Sequence, residues 1–354
     1  MMHDSFIIAE NSGMNKRTLL LFGLGLITAF VTFTLLRKDT PRLQHISGQT
    51  MGTIVYNVKY LGVPGEVKKG EVDSVLRAFN QALSTYIPDS EISELNSVGE
   101  LTFRSAYFHE IMLKSKELFD KTDGTFDPTV GPLIGAWGFG PEKQIPDLDS
   151  ATVDSLLSVT GFEDLSFDME KATLPVGYRL DFSAIAKGYA VDIVGELLEK
   201  VGIENYLVEI GGEVRCRGLN SQGKSWSLGI EDPTVALNEQ ALLAIVRLKD
   251  LSLATSGNYR NYYEKEGKIY AHIIDPRTGY NATHNLLSAS VFSSDCMTAD
   301  AYATAMMVLG LEGSKKLVDN ENIEAILVYQ APDGSLKSYV SSGIQPFVEL
   351  NKAK

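Results

Sequence analysis

Lys16-Arg17 is followed by an uncharged run from Thr18 to Leu36, and that run by Arg37-Lys38. At 19 residues the run measures about 28 Å as a helix, enough to cross the hydrocarbon core of a bilayer. A helix that is apolar all round belongs in a membrane or in the middle of a large core. No small-residue cleavage site follows it, and no cysteine lies near it to carry a lipid. The first reading is therefore a retained signal anchor, the second a cleaved signal peptide, and the third a buried helix of a soluble protein. Positive charge on both flanks specifies its orientation only weakly. The chain then divides into a short cytoplasmic tail (1–17), the anchor or signal peptide (18–36), a linker (37–46), one folded domain (47–347) and a C-terminal tail (348–354).

Hydrophobic residues make up 44% of the 354 and charged residues 22%, which suits a packed globular domain and excludes bulk disorder. The net charge of -13, with no Lys/Arg-rich stripe, argues against a nucleic-acid partner. Cys216 and Cys296 are the two cysteines, with no CxxC and no Cys/His cluster. That spacing disfavours a zinc site and favours two buried thiols over a disulfide.

Periodicity supplies the elements. Thr53 to Tyr60 alternates and reads as a strand. Val67 to Thr85 repeats as a helix, with Val72, Leu76, Phe79 and Leu83 on one face. Ser90 reads as the N-cap of the next helix. Tyr107 to Thr122 is a further amphipathic helix, stopped by Asp123-Gly124. Residues 123–146 are rich in Gly, Pro and aromatics and read as a structured loop. A strand ending at Leu180-Asp181 feeds a helix over Ala184 to Val201. Strands follow at Tyr206 to Ile210, Trp226 to Ile230 and Leu242 to Leu253. Asp295 to Leu309 is a helix, and Ala325 to Tyr339 a hairpin turning at Pro332-Asp333-Gly334. Helices and strands mix without βαβ alternation, which predicts an α+β fold with mixed, largely antiparallel sheets flanked by helices.

The densest reactive stretch runs from Tyr270 to Thr304. Ala271-His272-Ile273-Ile274-Asp275-Pro276-Arg277-Thr278-Gly279 gathers an imidazole, a carboxylate and a guanidinium around a Pro/Gly turn. Asp300 and Thr304 lie four residues apart, so on a helix both oxygens face one way. Hard oxygen ligands beside phosphate donors suggest magnesium and a phosphorylated substrate. The plainer alternatives are a capping Asp300, a core-facing Thr304 and a structural histidine. Asp181-Phe182-Ser183-Ala184-Ile185-Ala186-Lys187-Gly188 opens a helix whose N-terminal N–H groups suit a diphosphate. A simple cap and a solvated Lys187 fit it too. Glu209-Ile210-Gly211-Gly212-Glu213 allows close ligand approach or a plain bulge. Thr255-Ser256-Gly257-Asn258-Tyr259 offers hydroxyls, or a hairpin turn.

In combination these runs are more specific than any one alone. Met51-Gly52-Thr53, Ser84-Thr85-Tyr86, Gly124 to Pro132 with Trp137-Gly138-Phe139-Gly140, Asp181 to Gly188, Gly211-Gly212-Glu213, the Thr255 run, the His272–Gly279 run and Asp300 with Thr304 occur in that order. The chain resembles the ApbE family, the FAD:protein FMN transferases, over roughly residues 47–347. The resemblance implies an ApbE-like, T-fold-related architecture. It implies transfer of FMN from FAD to a threonine or serine hydroxyl of a protein through a phosphoester, with AMP leaving. Typical targets are subunits of membrane redox complexes on the extracytoplasmic side, with an acceptor motif of Asp or Ser, Gly, Ala, then Thr or Ser. A domain held in the periplasm by an inner-membrane anchor follows from that.

Carried onto matching positions, the resemblance makes Ala184 (through its carbonyl), Asp300 and Thr304 the magnesium ligands. Met51, Tyr86, Thr125, Phe126, Asp127, Asp181, Lys187 and Ala271 become FAD contacts. Lys187 and the metal would spread charge on the breaking diphosphate, His272 is the candidate base, and Asp275 its orienting partner. Two positions depart from the family: Ala271 stands where serine is common, and Tyr280-Asn281 where Arg-Pro is common. The alternatives are an FAD diphosphatase, with water replacing the hydroxyl, and a non-catalytic FAD-binding protein.

Overall fold

The computed structural model describes Leu21 and residues 41–140, 148–235, 241–258, 262–265 and 268–351. The uncharged run at 18–36 lies outside them apart from Leu21. Among the described residues no helix is long and apolar enough to cross a membrane.

The centre of the domain is an eight-stranded sheet: β1 (Arg42–Thr50), β2 (Ile54–Gly62), β3 (Tyr206–Ile210), β4 (Glu213–Arg217), β5 (Leu251–Gly257), β6 (Leu286–Ser293), β7 (Glu324–Gln330) and β8 (Leu336–Val340). The strands lie side by side in chain order, and every neighbouring pair is antiparallel. The helices between them are α1 (Lys69–Leu83), α2 (Glu91–Val98), α3 (Ala106–Lys121), α4 (Gly131–Ala136), α5 (Ser150–Leu157), α6 (Ala186–Lys200) and α7 (Cys296–Glu321).

Side chains alternate across a strand, so adjacent apolar residues serve opposite faces. Ala325 and Leu327 of β7 join the large core under α1, α3, α6 and α7. Ile326 and Val328 join a second core with Trp226, Ala244, Val246 and Leu248. Those last four belong to a three-stranded sheet of Trp226–Glu231, Leu242–Leu248 and Val348–Leu350. A sheet covered on both faces requires continuous apolar runs, which is why β7 reads AILV. Smaller sheets pair Glu100–Thr102, Lys171–Thr173 and Ser166–Phe167, and Tyr262–Lys265 with Lys268–Ala271.

Five boundaries differ from those read in the sequence. The 37–46 linker is strand from Arg42, with one face largely exposed, so its outer residues carry no apolar signal. The 348–354 tail includes Val348–Leu350, which pairs with Leu242–Leu248. The single strand over 242–253 is two strands in different sheets, split where Asp250 turns at φ 55°. Residues 180–181 form no strand; Arg179 just before them makes an isolated bridge to Val130, and α6 begins at Ala186. Helix α7 kinks at Gly310 (φ 70°) and runs on to Glu321, so the boundary read at Leu309 marks the kink.

Candidate active site

A cavity of about 290 Å³ opens where the 125–127 loop, the start of α6, the β3–β4 turn, the end of β5, the 272–276 loop and α7 converge. Thr125, Phe126, Asp127, Asp181, Ala184, Lys187, His272, Asp300 and Thr304 all line it. Met51, Tyr86, Ala271 and Asp275 are not among its lining residues. A second cavity of about 510 Å³ adjoins it through Asp127 and Pro276 and is edged by Asp120, Asp123, Glu163 and Arg277. None of Lys187, His272, Asp300 or Thr304 reaches that one.

The 125–127 loop is built by the end of α3. Asp123 and Gly124 take positive φ and reverse the chain. Thr122 then accepts from the Phe126 N–H (3.1 Å), and the Thr125 hydroxyl donates to the Thr122 carbonyl (2.9 Å). Asp127 accepts from the backbone N–H and hydroxyl of Thr129 (2.8 and 2.7 Å). Burial pushes the Asp127 carboxyl up to about 6.

The approach to α6 is clamped from outside. Asn96 donates to the Leu180 carbonyl and accepts from its N–H (2.8 and 2.7 Å), and the Asp181 N–H donates to the Pro128 carbonyl (2.8 Å). Asp181 in turn accepts from the Ser183 N–H (2.7 Å). Tyr86 is 63% exposed. Partial burial and the charge of Asp181 raise its phenol, which puts the two side chains in the same neighbourhood. Met51 occupies the β1–β2 turn at φ 48°, half-buried against the core.

Lys187 is flanked by two carboxylates. Its Nζ lies 2.6 Å from Glu213 Oε1 and 3.6 Å from Asp300 Oδ1. Burial works against the Lys187 charge, but Asp300 and Glu213 overcome it and raise its affinity for the proton. Burial pushes Glu213 up to about 7 and raises Asp300, in each case against the pull of Lys187. Glu213 is the site residue to which the motif reading assigned no role. The signal available was its place straight after Gly211-Gly212, which turn at φ 64° and 107° and set β4 against the cavity.

Helix α7 is held by α6. Asp295 caps it by accepting from the Thr298 N–H (2.8 Å). Asp192 of α6 accepts from the N–H groups of Cys296 and Met297 (2.9 and 2.8 Å) and pairs with Arg215 (3.0 Å). One turn further on, the Gly188 N–H donates to Asp300 Oδ2 (2.9 Å). Thr304, on the next turn, exchanges a hydrogen bond with Ser256 of β5 (3.2 Å).

The His272 loop is fixed at its base. The Trp137 indole donates to the Gly279 carbonyl, the Asn281 amide to the Ala271 carbonyl, and the Ala282 N–H to the Ile273 carbonyl. Phe139 lies edge-on to the His272 ring, 6.3 Å between centroids. Both carboxylate oxygens of Asp275 accept from Arg277 (2.9 and 2.8 Å), which closes the turn. Cys216 and Cys296 are both free and buried, and burial raises both thiols.

Residues 51–327 match the model of the ApbE family. The chain is 39% identical to the FAD:protein FMN transferase of Vibrio cholerae over 86% of its own length and 92% of that protein's. It is 36% identical to the FAD:protein FMN transferase of Haemophilus influenzae over 95% and 99%. Among solved structures, the flavin transferase ApbE from Vibrio cholerae superposes with a TM-score of 0.76 at 37% identity, covering 87% of this chain and 99% of that one. The apo flavinyl transferase ApbE of Pseudomonas stutzeri gives 0.78 at 32%, covering 88% and 98%. Sequence, fold and the order of the site motifs agree, and the chain belongs to the ApbE family.

Proposed function

We propose that the chain transfers FMN from FAD to a threonine or serine hydroxyl of a partner protein, with magnesium bound at Ala184, Asp300 and Thr304 and AMP as leaving group. The observation that carries this reading is the convergence of Lys187, Ala184, Asp300, Thr304 and His272 on one cavity. The donor set suits a hard cation: a carboxylate and a hydroxyl one helical turn apart. Among the described residues no group of three or more His, Cys, Asp and Glu residues could hold a metal ion. That fits a cation that keeps waters and borrows phosphate oxygens. Two buried carboxylates face one ammonium there, and Glu213 Oε2 is buried without a hydrogen-bond partner. The residues present therefore fit magnesium.

When bound, the metal offsets charge on the diphosphate. The protein does the rest. The Lys187 ammonium faces the breaking P–O–P link and stabilises the charge that grows on the departing phosphate. A ring nitrogen of neutral His272 takes the acceptor hydroxyl proton as that oxygen bonds the FMN phosphorus. Thr125, Phe126, Asp127 and Asp181, which line the cavity, hold the nucleotide, and Tyr86, Met51 and Ala271 are the further FAD contacts of this reading. The 18–36 run supports an inner-membrane anchor with the domain in the periplasm, facing a redox subunit that carries the Asp/Ser-Gly-Ala-Thr/Ser motif.

The test is incubation with FAD, magnesium and an acceptor domain bearing that motif. Covalent flavin fluorescence on the denatured acceptor, AMP in solution and loss of both with a chelator are expected. FMN and AMP formed equally without acceptor would make the chain a diphosphatase. FAD bound and intact would make it a carrier.

A further inference from the structure

Glu213 closes the Gly211-Gly212-Glu213 run, to which the family resemblance assigns no role, and its carboxylate is buried at the cavity. Its side chain is 3% exposed. Oε1 is taken by Lys187 at 2.6 Å. Oε2 is buried, has no hydrogen-bond partner and belongs to a residue that lines the cavity. A buried carboxylate oxygen left unpaired bears its full desolvation penalty, so folds retain one where a ligand completes it.

The chemistry of the cavity narrows the ligand. Phosphate oxygens carry no donor and repel a carboxylate. What Oε2 needs is a donor that arrives with positive charge. We infer that Glu213 is part of the cation site: Oε2 accepts from a water in the coordination shell of the divalent ion held by Asp300 and Thr304. Direct bidentate ligation is closed to it, because Oε1 is committed to Lys187. The arrangement gives one carboxylate two duties. Through Oε1 it steers the ammonium, and through Oε2 it orients the hydrated face of the metal. The glycine pair before it makes this reach available. A Cβ on Gly211 would come within 2.9 Å of Ile54 Cγ2 and 3.6 Å of Oε2 itself.

This inference rests on the magnesium reading above, and its test separates the two. The full-length protein is titrated with Mn²⁺ alone, free ion being read by electron paramagnetic resonance, for wild type, Glu213→Gln, Asp300→Asn, Lys187→Met and the Lys187→Met/Glu213→Gln double variant. Removing a partner of a metal ligand typically costs 10–100-fold in affinity, so Glu213→Gln should weaken Mn²⁺ binding at least about tenfold. The double variant should bind more weakly than Lys187→Met. If Glu213 serves only to neutralise Lys187, the double variant will match Lys187→Met, and the inference fails. It fails equally if Glu213→Gln binds Mn²⁺ like wild type while Asp300→Asn does not, and the magnesium reading then survives. Wild type and Asp300→Asn both failing to bind would remove that reading and this one together. Circular dichroism and Tm confirm that each variant is folded, and Glu213→Asp, which keeps the charge but withdraws it by one methylene, replaces Glu213→Gln if it is not.

Discussion

The backbone N–H of Gly188 donates to Asp300 Oδ2 at 2.9 Å, and the two helices touch there with no room for a side chain. A Cβ at 188 would fall on the Cys296 carbonyl and within 2.8 Å of Asp300 Cβ. Gly188→Ala must therefore push α7 away from α6. The expected cost is about 3 kcal/mol, the upper end for overpacking, because the obstacle is backbone. Divalent-cation affinity should fall with it. Thermal unfolding and Mn²⁺ titration check both, and a variant with wild-type Tm would contradict the packing described here.

Asp192 joins three elements at one carboxylate: α6, the first turn of α7 and Arg215 of β4. Asp192→Asn keeps the shape but removes the charge that holds two N–H groups and a guanidinium. Charge-assisted bonds of this kind contribute about 1.5–3 kcal/mol each. We expect a loss of about 2–3 kcal/mol by chemical denaturation. Hydrogen exchange should speed up selectively at Cys296 and Met297, and equal acceleration throughout α7 would argue against a local lock.

Asp127 sets a pH signature. Burial raises its folded carboxyl to about 6, against an ordinary value near 3.8. The folded state therefore holds the proton more tightly. Its stabilising contribution is complete below about pH 4 and is lost as pH climbs through about 6. Two units correspond to on the order of 3 kcal/mol. Asp127→Asn, which can still accept from Thr129, should lack this slope. The stability difference between the two proteins, measured at pH 4 and pH 7, should change by that order in favour of the variant. No change would mean that Asp127 titrates normally.

Asn281 ties the residue before His272 through its amide to the Ala271 carbonyl (2.6 Å). Asn281→Ala should cost about 1 kcal/mol in stability. Its larger effect should be kinetic, a several-fold fall in kcat as the His272 loop loosens, with FAD affinity unchanged. A fall confined to KM would place the effect on binding instead.

How much of this was legible in the sequence depends on where each residue's partners lie. Tyr206–Ile210 and the hairpin at 332–334 were, because strand alternation and turn chemistry are local. The Ser90 cap was, since Ser90 accepts from Ser93 three residues on. Strand β1 was not, since its open face carries His45, Ser47 and Gln49 and reads like a linker. The split at Asp250 was hidden because apolar residues flank it on both sides and only a positive φ separates two sheets. In the site, motif order brought Lys187, His272, Asp300 and Thr304 to one cavity. Asp275 also bonds Arg277, two residues away, a pairing local enough to read from the motif. Motif order passed over Asp192, whose N–H partners Cys296 and Met297 lie more than 100 residues further along. A lone acid inside a helix looks solvated until the fold brings those partners to it.

The burial of Cys296 has a practical consequence. Its thiol sits in the first turn of α7, behind the Gly188 contact, and is fully enclosed. A thiol reagent can reach it only when that turn parts from α6. With Cys216 replaced by alanine, the labelling rate becomes a clock for the opening of α7. The chain thus carries a built-in reporter in its native sequence, whose slowing under added cation or FAD can be followed without any fluorophore engineered in.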